Sequence, residues 1–542
     1  MRRNQFLFAA CTILFFFSLP VAQGAQAAPP SSPTPNTPGQ NAVPAPEQRA
    51  APAAKSAAAD KPETLLTSAQ EKELLGEIPK MLEFSSQDTG LAVHSQVKGR
   101  VTDRNAIEKF LAKKLKDDKD AKRLERSELV MKKFGLLDPS FQLQPFLISL
   151  LKEQIAGYYD DKTKTMNLLN WVDIDDQKPV MAHELTHALQ DQRVHLKKWE
   201  EAVPDESVPS KNFKQDQERV AVDEVGTARD AVLEGQAMVP LIDLSLRSMG
   251  QSVKTAPQVI PLMVAQMAQT DPATSPIMAK APLVLQESML FSYAQGLSFI
   301  AAILAQKGQE QAFAGTLDSP PSTSAEILHP EQYLNHVKEP LLQIPDLHSL
   351  LDANYAPYDV GVVGEFDVQT LADVFVGPEQ SKQITPMWAG GTYYAAQRRS
   401  DLQNSRKDTA DSVALVYYSE WKSNEAAKQF AHIYESQFPR KYSHVEEMSP
   451  DATSAATAPT APDDKQYRVD GGYALVSVTG NSVFISEGFT SDEARKLEGM
   501  FQGTSTRNAV YARNSHGLTQ GLRDFIGESG TLRCALPPRA GN

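Results

Sequence analysis

The chain has 542 residues, 41% of them hydrophobic and 22% charged, with a formal net charge of −13. That length exceeds a single hydrophobic core and implies two or three folded units once unstructured parts are set aside. The acidic balance argues against binding a phosphate backbone, so no nucleic-acid partner is expected, and two cysteines exclude a disulfide scaffold.

Residues 1–27 read as a cleaved signal peptide. Arg2 and Arg3 precede an apolar run from Phe6 to Leu19, and Ala25-Gln26-Ala27 offers small residues where a signal peptidase cuts. The run is shorter than the roughly twenty residues needed to span a bilayer, and Cys11 lies inside it, a poor place for a lipid anchor. Cleavage would remove two arginines and no acid, taking the net charge from −13 to −15 and leaving Cys534 as the last cysteine. An exported chain of this kind has no internal disulfide, no cysteine metal site and no stable membrane span, and its destination is the periplasm or the exterior. Residues 28–62 are rich in Pro and Ala with almost no large apolar side chains, a composition that cannot offset ordering entropy and reads as a disordered tether.

Residues 63–350 are mostly helical in pattern. Ser68 to Phe84 reads as one amphipathic helix, Arg104 to Lys116 and Lys122 to Lys133 as charged helices, and Phe141 to Ile155 as an apolar helix ending at Gly157. Strands are scarce here, except over Ala156 to Leu169, where Tyr158-Tyr159-Asp160 and Thr165 to Leu169 flank a polar turn as a hairpin. Two readings of that hairpin stand at even weight: a free edge that accepts an extended peptide as an extra strand, or an ordinary paired hairpin. Val259 to Leu304 is the most apolar later stretch, but prolines at 272, 276 and 282 interrupt it, and buried helices explain it better than a membrane span.

Immediately after the hairpin comes His183-Glu184-Leu185-Thr186-His187. Residues four apart lie one helical turn above each other, so both imidazoles can face one metal while Glu184 stands beside it. Asp175 and Asp176 offer an N-cap, Pro179 suits the first turn, and Val180, Met181, Leu185, Ala188 and Leu189 supply the apolar face. A catalytic zinc needs three protein ligands and one open position, so a third donor is required downstream. Glu234 is the choice: it sits among small and apolar neighbours, where an unpaired carboxylate is costly and a cation would neutralise it. Asp223, Glu224 and Asp230 compete, each with an alternative reading as a solvated surface acid.

The run from Ala182 to Asp191, followed by Leu233-Glu234-Gly235, resembles the gluzincin-type (clan MA) zinc metallopeptidases, particularly secreted bacterial members without an assigned substrate. Gly157-Tyr158-Tyr159-Asp160, Tyr293-x-x-Gly296-x-x-Phe299 and Pro321-Ser322-Thr323 through His329-Pro330 resemble accessory segments of that group, which extends the likeness over Glu63 to Tyr333. The resemblance implies a zincin-like catalytic domain in which His183, His187 and Glu234 hold Zn2+, with Glu184 as general base and then acid toward a peptide or protein substrate. His329 and Tyr293 are the two candidates for the donor that stabilises the oxyanion, against readings as a locally packed turn residue and a core tyrosine. Thermolysin-like members carry an aspartate four residues after the glutamate ligand; here that position is Met238, and Asp191 or Asp230 is the candidate to orient a histidine instead. His195 reads as a solvated loop residue and Arg229 as a surface salt-bridge former.

Residues 351–386 read as a connector. Over 387–503 the period changes to strands at Gly391 to Ala396, Ser412 to Ser419, Gln466 to Val469, Gly472 to Val478 and Ser482 to Gly488, with helices at Asn424 to Gln437 and Ser491 to Gln502. This is a small α/β domain, read as a ferredoxin-like sandwich with a disordered insertion near Ser449 to Pro462, and residues 504–542 form a C-terminal extension. The expected fold class is therefore multidomain α+β, and no oligomeric state is legible. Two rivals to the peptidase remain: an envelope binding or scaffolding protein that keeps a structural zinc helix, and a zinc hydrolase of a non-peptide bond.

Overall fold

In the computed structural model the helical periodicity of the N-terminal half becomes a helical unit with one small sheet, and the later strand periodicity becomes a large antiparallel sheet. The structure describes residues 65–114, 118–200, 208–221, 223–337, 341–448 and 464–503. The signal peptide, the tether, the insertion near 449–462 and the extension at 504–542 lie outside them.

The first amphipathic helix is two helices, Ser68–Gly76 and Ile78–Thr89. The break falls at Glu77 because Pro79, lacking an N–H, starts a new first turn and cannot continue the old one. The small sheet holds β1 (Lys98–Thr102), β2 (Tyr158–Asp160) and β3 (Thr165–Leu169) in the order β1-β3-β2. The hairpin is real: β2 pairs antiparallel with β3, and Asp160 accepts from the amides of Lys162 and Thr163 to shape the turn. β1 runs parallel to β3. It has no counterpart in the strand pattern because Lys98, Gly99 and Arg100 are exposed and give no apolar alternation.

Three helical runs make the core of this unit: Ile174–Val194, Val225–Leu246 and a continuous stretch over Leu283–Lys307. The last is long and apolar enough to cross a membrane by composition, since its prolines all precede it, but 67% of its most apolar window is buried inside the protein. Its crossing with Val225–Leu246 is unusually close. A Cβ on Gly235 would fall on the carbonyl of Gly296 and 2.8 Å from its Cα, and one on Gly296 would meet the backbone of Ala231. Two glycines let the helix backbones touch where any side chain would hold them apart.

Beyond residue 354 an antiparallel sheet of seven strands forms, in the order β4-β5-β6-β10-β9-β8-β7. The strands are β4 (Tyr355–Val362), β5 (Trp388–Arg398), β6 (Val413–Trp421), β7 (Val445–Met448), β8 (Lys465–Val469), β9 (Gly472–Thr479) and β10 (Ser482–Glu487). The expected multidomain α+β class stands, with a separate antiparallel sheet unit at the C-terminal end. Its seven-stranded order is not that of a ferredoxin-like sandwich. The expected connector at 351–386 is instead occupied by β4 and by the helices Glu365–Val376 and Pro378–Ile384.

Alternation along the strands explains how this unit attaches. On β5 and β6, Tyr393, Ala395, Leu415 and Tyr417 face one core and Tyr394, Ala396, Ala414 and Val416 face another. The first core is continuous with the helical unit: Phe134 from the N-terminal half stands edge-on to both Tyr393 and Tyr417 at 5.7 Å. The carboxylate of Asp223 accepts from the Val362 amide, and Glu224 accepts from Ser324 and crowds Gly364.

An acid pair crosses the same junction. Glu287 of the Leu283–Leu290 helix stands near Asp373 of the Glu365–Val376 helix, and burial, with that second carboxyl beside it, pushes Glu287 up from 4.5 to about 8. The folded pair therefore keeps a proton that the unfolded chain releases above about pH 4.5, so stability falls as pH rises through that window and levels off near 8. The slope is at most about 1.4 kcal/mol per pH unit for one proton. Glu287→Gln removes this contribution, and its melting temperature is expected to fall less than that of the wild type between about pH 5 and 8. Some slope persists, because Asp88, paired with Asp243, is likewise pushed up to about 8. Parallel melting profiles for the two proteins would refute the assignment.

Candidate metal centre

The His-Glu-x-x-His helix begins at Ile174, two residues earlier than an N-cap at Asp175 implies, because the N-cap is Asp173, whose side chain accepts from the Asp175 amide. Asp175 and Asp176 then sit in the first turn, where their charge suits the positive end of the helix. By the time the chain reaches residue 183 it is in the middle of the protein: His183 and Glu184 are 0% exposed and His187 2%.

Glu234, 6% exposed, comes to them from the Val225–Leu246 helix. His183 Nε2 lies 3.1 Å and His187 Nε2 3.7 Å from the same carboxylate oxygen, Oε2 of Glu234. A tetrahedral ion with bonds of about 2.0–2.1 Å requires donor separations of about 3.4 Å, a value the two distances to Glu234 bracket, and all three donor atoms lie within 4.8 Å of one another. His187 Nε2 is buried and makes no hydrogen bond, which leaves its lone pair for an ion. Among the described residues this is the one group of three or more His, Cys, Asp or Glu side chains arranged to hold a metal ion.

The charges agree. Burial would raise the Glu234 carboxyl, but His187 and His183 together hold it down at about 2. Burial pushes His183 down to about 4 despite Glu234, keeping it neutral, while for His187 the pull of Glu234 and Glu184 outweighs burial and raises it. Metal ions compete with protons for such donors.

Two glutamines that sequence reasoning missed complete the surroundings. His187 Nδ1 lies 2.7 Å from Gln190 Oε1, and the Gln190 amide nitrogen reaches the Leu233 carbonyl and Gln236 Oε1, each at 3.0 Å. Gln236 in turn donates to the carbonyls of Ala312 and Phe313. The signal available was position: Gln190 stands one turn after His187, and Gln236 two residues after Glu234.

Glu184 is oriented by β2. Its Oε2 accepts the Tyr159 amide at 2.8 Å. Tyr159 is held at its other end as well, its hydroxyl donating to Asp191 Oδ2 at 2.9 Å, where Lys164 also binds. Asp191 thus fastens the hairpin to the metal helix and does not orient a ligating histidine as expected. β2 is an edge strand, but the outward amide of Tyr159 is already used by Glu184, so only a short length of backbone edge is left to an added strand.

Of the two donor candidates, Tyr293 is the one brought to the triad. Its ring lies 6.3 Å from that of His183 and nearly parallel to it, on a single π-helical turn, Phe291–Gln295, inside the apolar run. Such turns widen a helix locally and recur at functional sites. His329 instead directs Nε2 to Glu365 at 2.8 Å, across the junction with the C-terminal unit. Asp223 and Glu224, weighed as solvated acids or ligands, are neither: both are buried in that junction. Arg229, expected at the surface, is buried, with its guanidinium 4.9 Å over the Trp199 ring. His195 is the exposed C-cap of the metal helix, in left-handed conformation with φ 55°.

Residues 354–498 match a family described as a domain of unknown function, DUF8575. The match spans the sheet from the start of β4 into the helix Ser491–Gly503 and includes none of the three donors. No curated protein matches the chain, and no solved structure does.

Proposed function

We propose that this chain is an exported zinc-dependent metallopeptidase that hydrolyses peptide bonds of a peptide or protein substrate. The observation that carries the reading is the convergence of His183, His187 and Glu234 at 3.1 and 3.7 Å with Glu184 on the next position of the same helix. Two histidines and one glutamate form a three-ligand set of the kind that leaves a fourth position open, and the likeness to gluzincins argues the same way. Zinc held there would acidify a water and polarise the scissile carbonyl. Glu184, oriented by the Tyr159 amide at Oε2, would take a proton from that water and return it to the leaving amine. Tyr293 is the preferred oxyanion donor, since His329 would first have to leave Glu365. The reading of residues 1–27 as a signal supports export to the periplasm or beyond. The C-terminal unit is assigned a bracing role, because Asp223 and Glu224, which bind it, immediately precede the Val225–Leu246 helix that carries Glu234.

A second reading has one observation in its favour: the triad is buried as a structural metal site would be. Digestion of a broad peptide library with and without a zinc chelator separates the two, since chelator-sensitive cleavage belongs to the first alone. The ligand set has its own test. Glu234→Ala is expected to lose stoichiometric zinc by elemental analysis; full zinc content would show that another residue is the third ligand.

A further inference from the structure

The hydrogen bonds around Gln190 and Gln236 form a chain in which each orientation forces the next. A backbone carbonyl can only accept. The Gln236 side-chain nitrogen therefore faces the carbonyls of Ala312 at 3.1 Å and Phe313 at 2.8 Å, which turns its oxygen toward Gln190. The Gln190 nitrogen must face both that oxygen and the Leu233 carbonyl, which turns Gln190 Oε1 toward His187. An amide oxygen 2.7 Å from His187 Nδ1 requires a proton on Nδ1. The remaining nitrogen, Nε2, then carries the lone pair, and it is the atom that faces Glu234 with no hydrogen bond of its own. Both glutamines are 0% exposed, so water does not offer either of them an alternative partner.

The far end of the chain is fixed as firmly. Ala312 and Phe313 lie on the π-helical turn Gln311–Gly315, and Thr316 Oγ1 donates to the same two carbonyls while approaching the Gln236 nitrogen at 2.8 Å. A wide turn disturbs the regular ladder of a helix, and here its carbonyls serve as the fixed acceptors from which the order of donors is set. His183 has no equivalent: its Nδ1 is buried without a hydrogen bond. Orientation of the site by this route therefore falls on His187.

We infer that Gln190 and Gln236 form an amide relay that locks His187 in the Nδ1-protonated tautomer and so presents Nε2 to the metal. They are positioning residues; neither touches the reacting atoms. Two neutral amides thus do for His187 what a carboxylate or a carbonyl commonly does for a ligating histidine. The inference rests on the reading of His183, His187 and Glu234 as metal ligands.

The experiment measures zinc affinity of the full chain by competition with a chromophoric chelator, for the wild type, Gln190→Met, Gln236→Met, the double variant and Ser85→Ala. Loss of an outer hydrogen bond to a ligating histidine weakens metal binding about 10–100-fold, and that loss is expected for Gln190→Met and Gln236→Met. Because the relay acts as one unit, the double variant is expected to lose little more than Gln190→Met alone. Ser85→Ala is the control. It removes an equally buried hydrogen bond to the metal helix, from Ser85 Oγ to the Ala182 carbonyl at 2.8 Å, without touching the relay, and should bind zinc as the wild type does. Histidine-selective 15N spectra of the zinc-loaded protein add a readout that loosened packing alone would not produce: a protonated Nδ1 on His187 in the wild type, altered in Gln190→Met. Wild-type affinity in Gln190→Met, or an equal loss in Ser85→Ala, overturns the relay. A wild type that takes up no zinc overturns the metal reading beneath it.

Discussion

Replacing Glu184 by glutamine is expected to abolish hydrolysis while zinc remains bound at one ion per chain. The substitution is nearly isosteric, and the buried carboxylate has two separable tasks. Its Oε2 accepts the Tyr159 amide at 2.8 Å, and the glutamine oxygen can take over that bond, so the contact between β2 and the metal helix survives. The amide nitrogen that replaces the other oxygen offers no lone pair to receive a proton. General acid–base catalysis contributes about 10²–10⁴-fold, and here a single side chain is assigned both transfers, so a loss at the upper end of that range is expected. None of the three donors is altered, which is why metal content should hold. Elemental analysis together with peptide-library digestion measures both quantities. A variant as active as the wild type would remove Glu184 from the mechanism, and with it the strongest argument against a purely structural metal.

The parts of this site written in local sequence were legible, and those made by tertiary packing were not. His183, Glu184 and His187 follow from helical geometry alone, since four residues make about one turn. Glu234 was legible from the cost of burying a carboxylate among apolar neighbours, a cost that the structure confirms is incurred at 6% exposure. Gln190 and Gln236 were not, because a neutral amide on a helix has the same appearance whether it meets solvent or a ring nitrogen from another turn. Asp191 was misassigned for a related reason: its partners, Tyr159 and Lys164, come from the hairpin and not from the metal side. Among the strands, β4 was read as connector because Pro357 interrupts its pattern. The structure places that proline at a bulge on an edge strand, where the ladder does not need its missing N–H. The strands and helices from β5 to the helix at Ser491–Gly503 were largely legible, with β7 the exception, and what was missed was how far their inward face shares a core with the helical unit.

The glycine pair at the crossing of the two core helices gives the sharpest test of how the site is held. In an exposed helix, Gly→Ala stabilises by about 1 kcal/mol, because alanine loses less backbone entropy on folding. At Gly235 the sign should reverse. The added methyl would land on the carbonyl of Gly296 and 2.8 Å from its Cα, and these are backbone atoms that cannot rotate away as a side chain would. The helices must part, at a cost of about 1–3 kcal/mol or more for overpacking a tight core, which outweighs the gain in propensity. The separation also falls on the site, for Gly235 follows Glu234, and Gly296 lies three residues beyond Tyr293, whose ring stacks on His183. Displacing the Val225–Leu246 helix shifts Glu234 relative to the two imidazoles on the Ile174–Val194 helix, where about half an ångström matters against separations of 3.1 and 3.7 Å. Gly235→Ala is therefore expected to lower both the denaturation midpoint and the zinc affinity. An unchanged or raised midpoint would mean that the helix backbones do not meet as closely as described, and the glycines at 235 and 296 would then need another explanation.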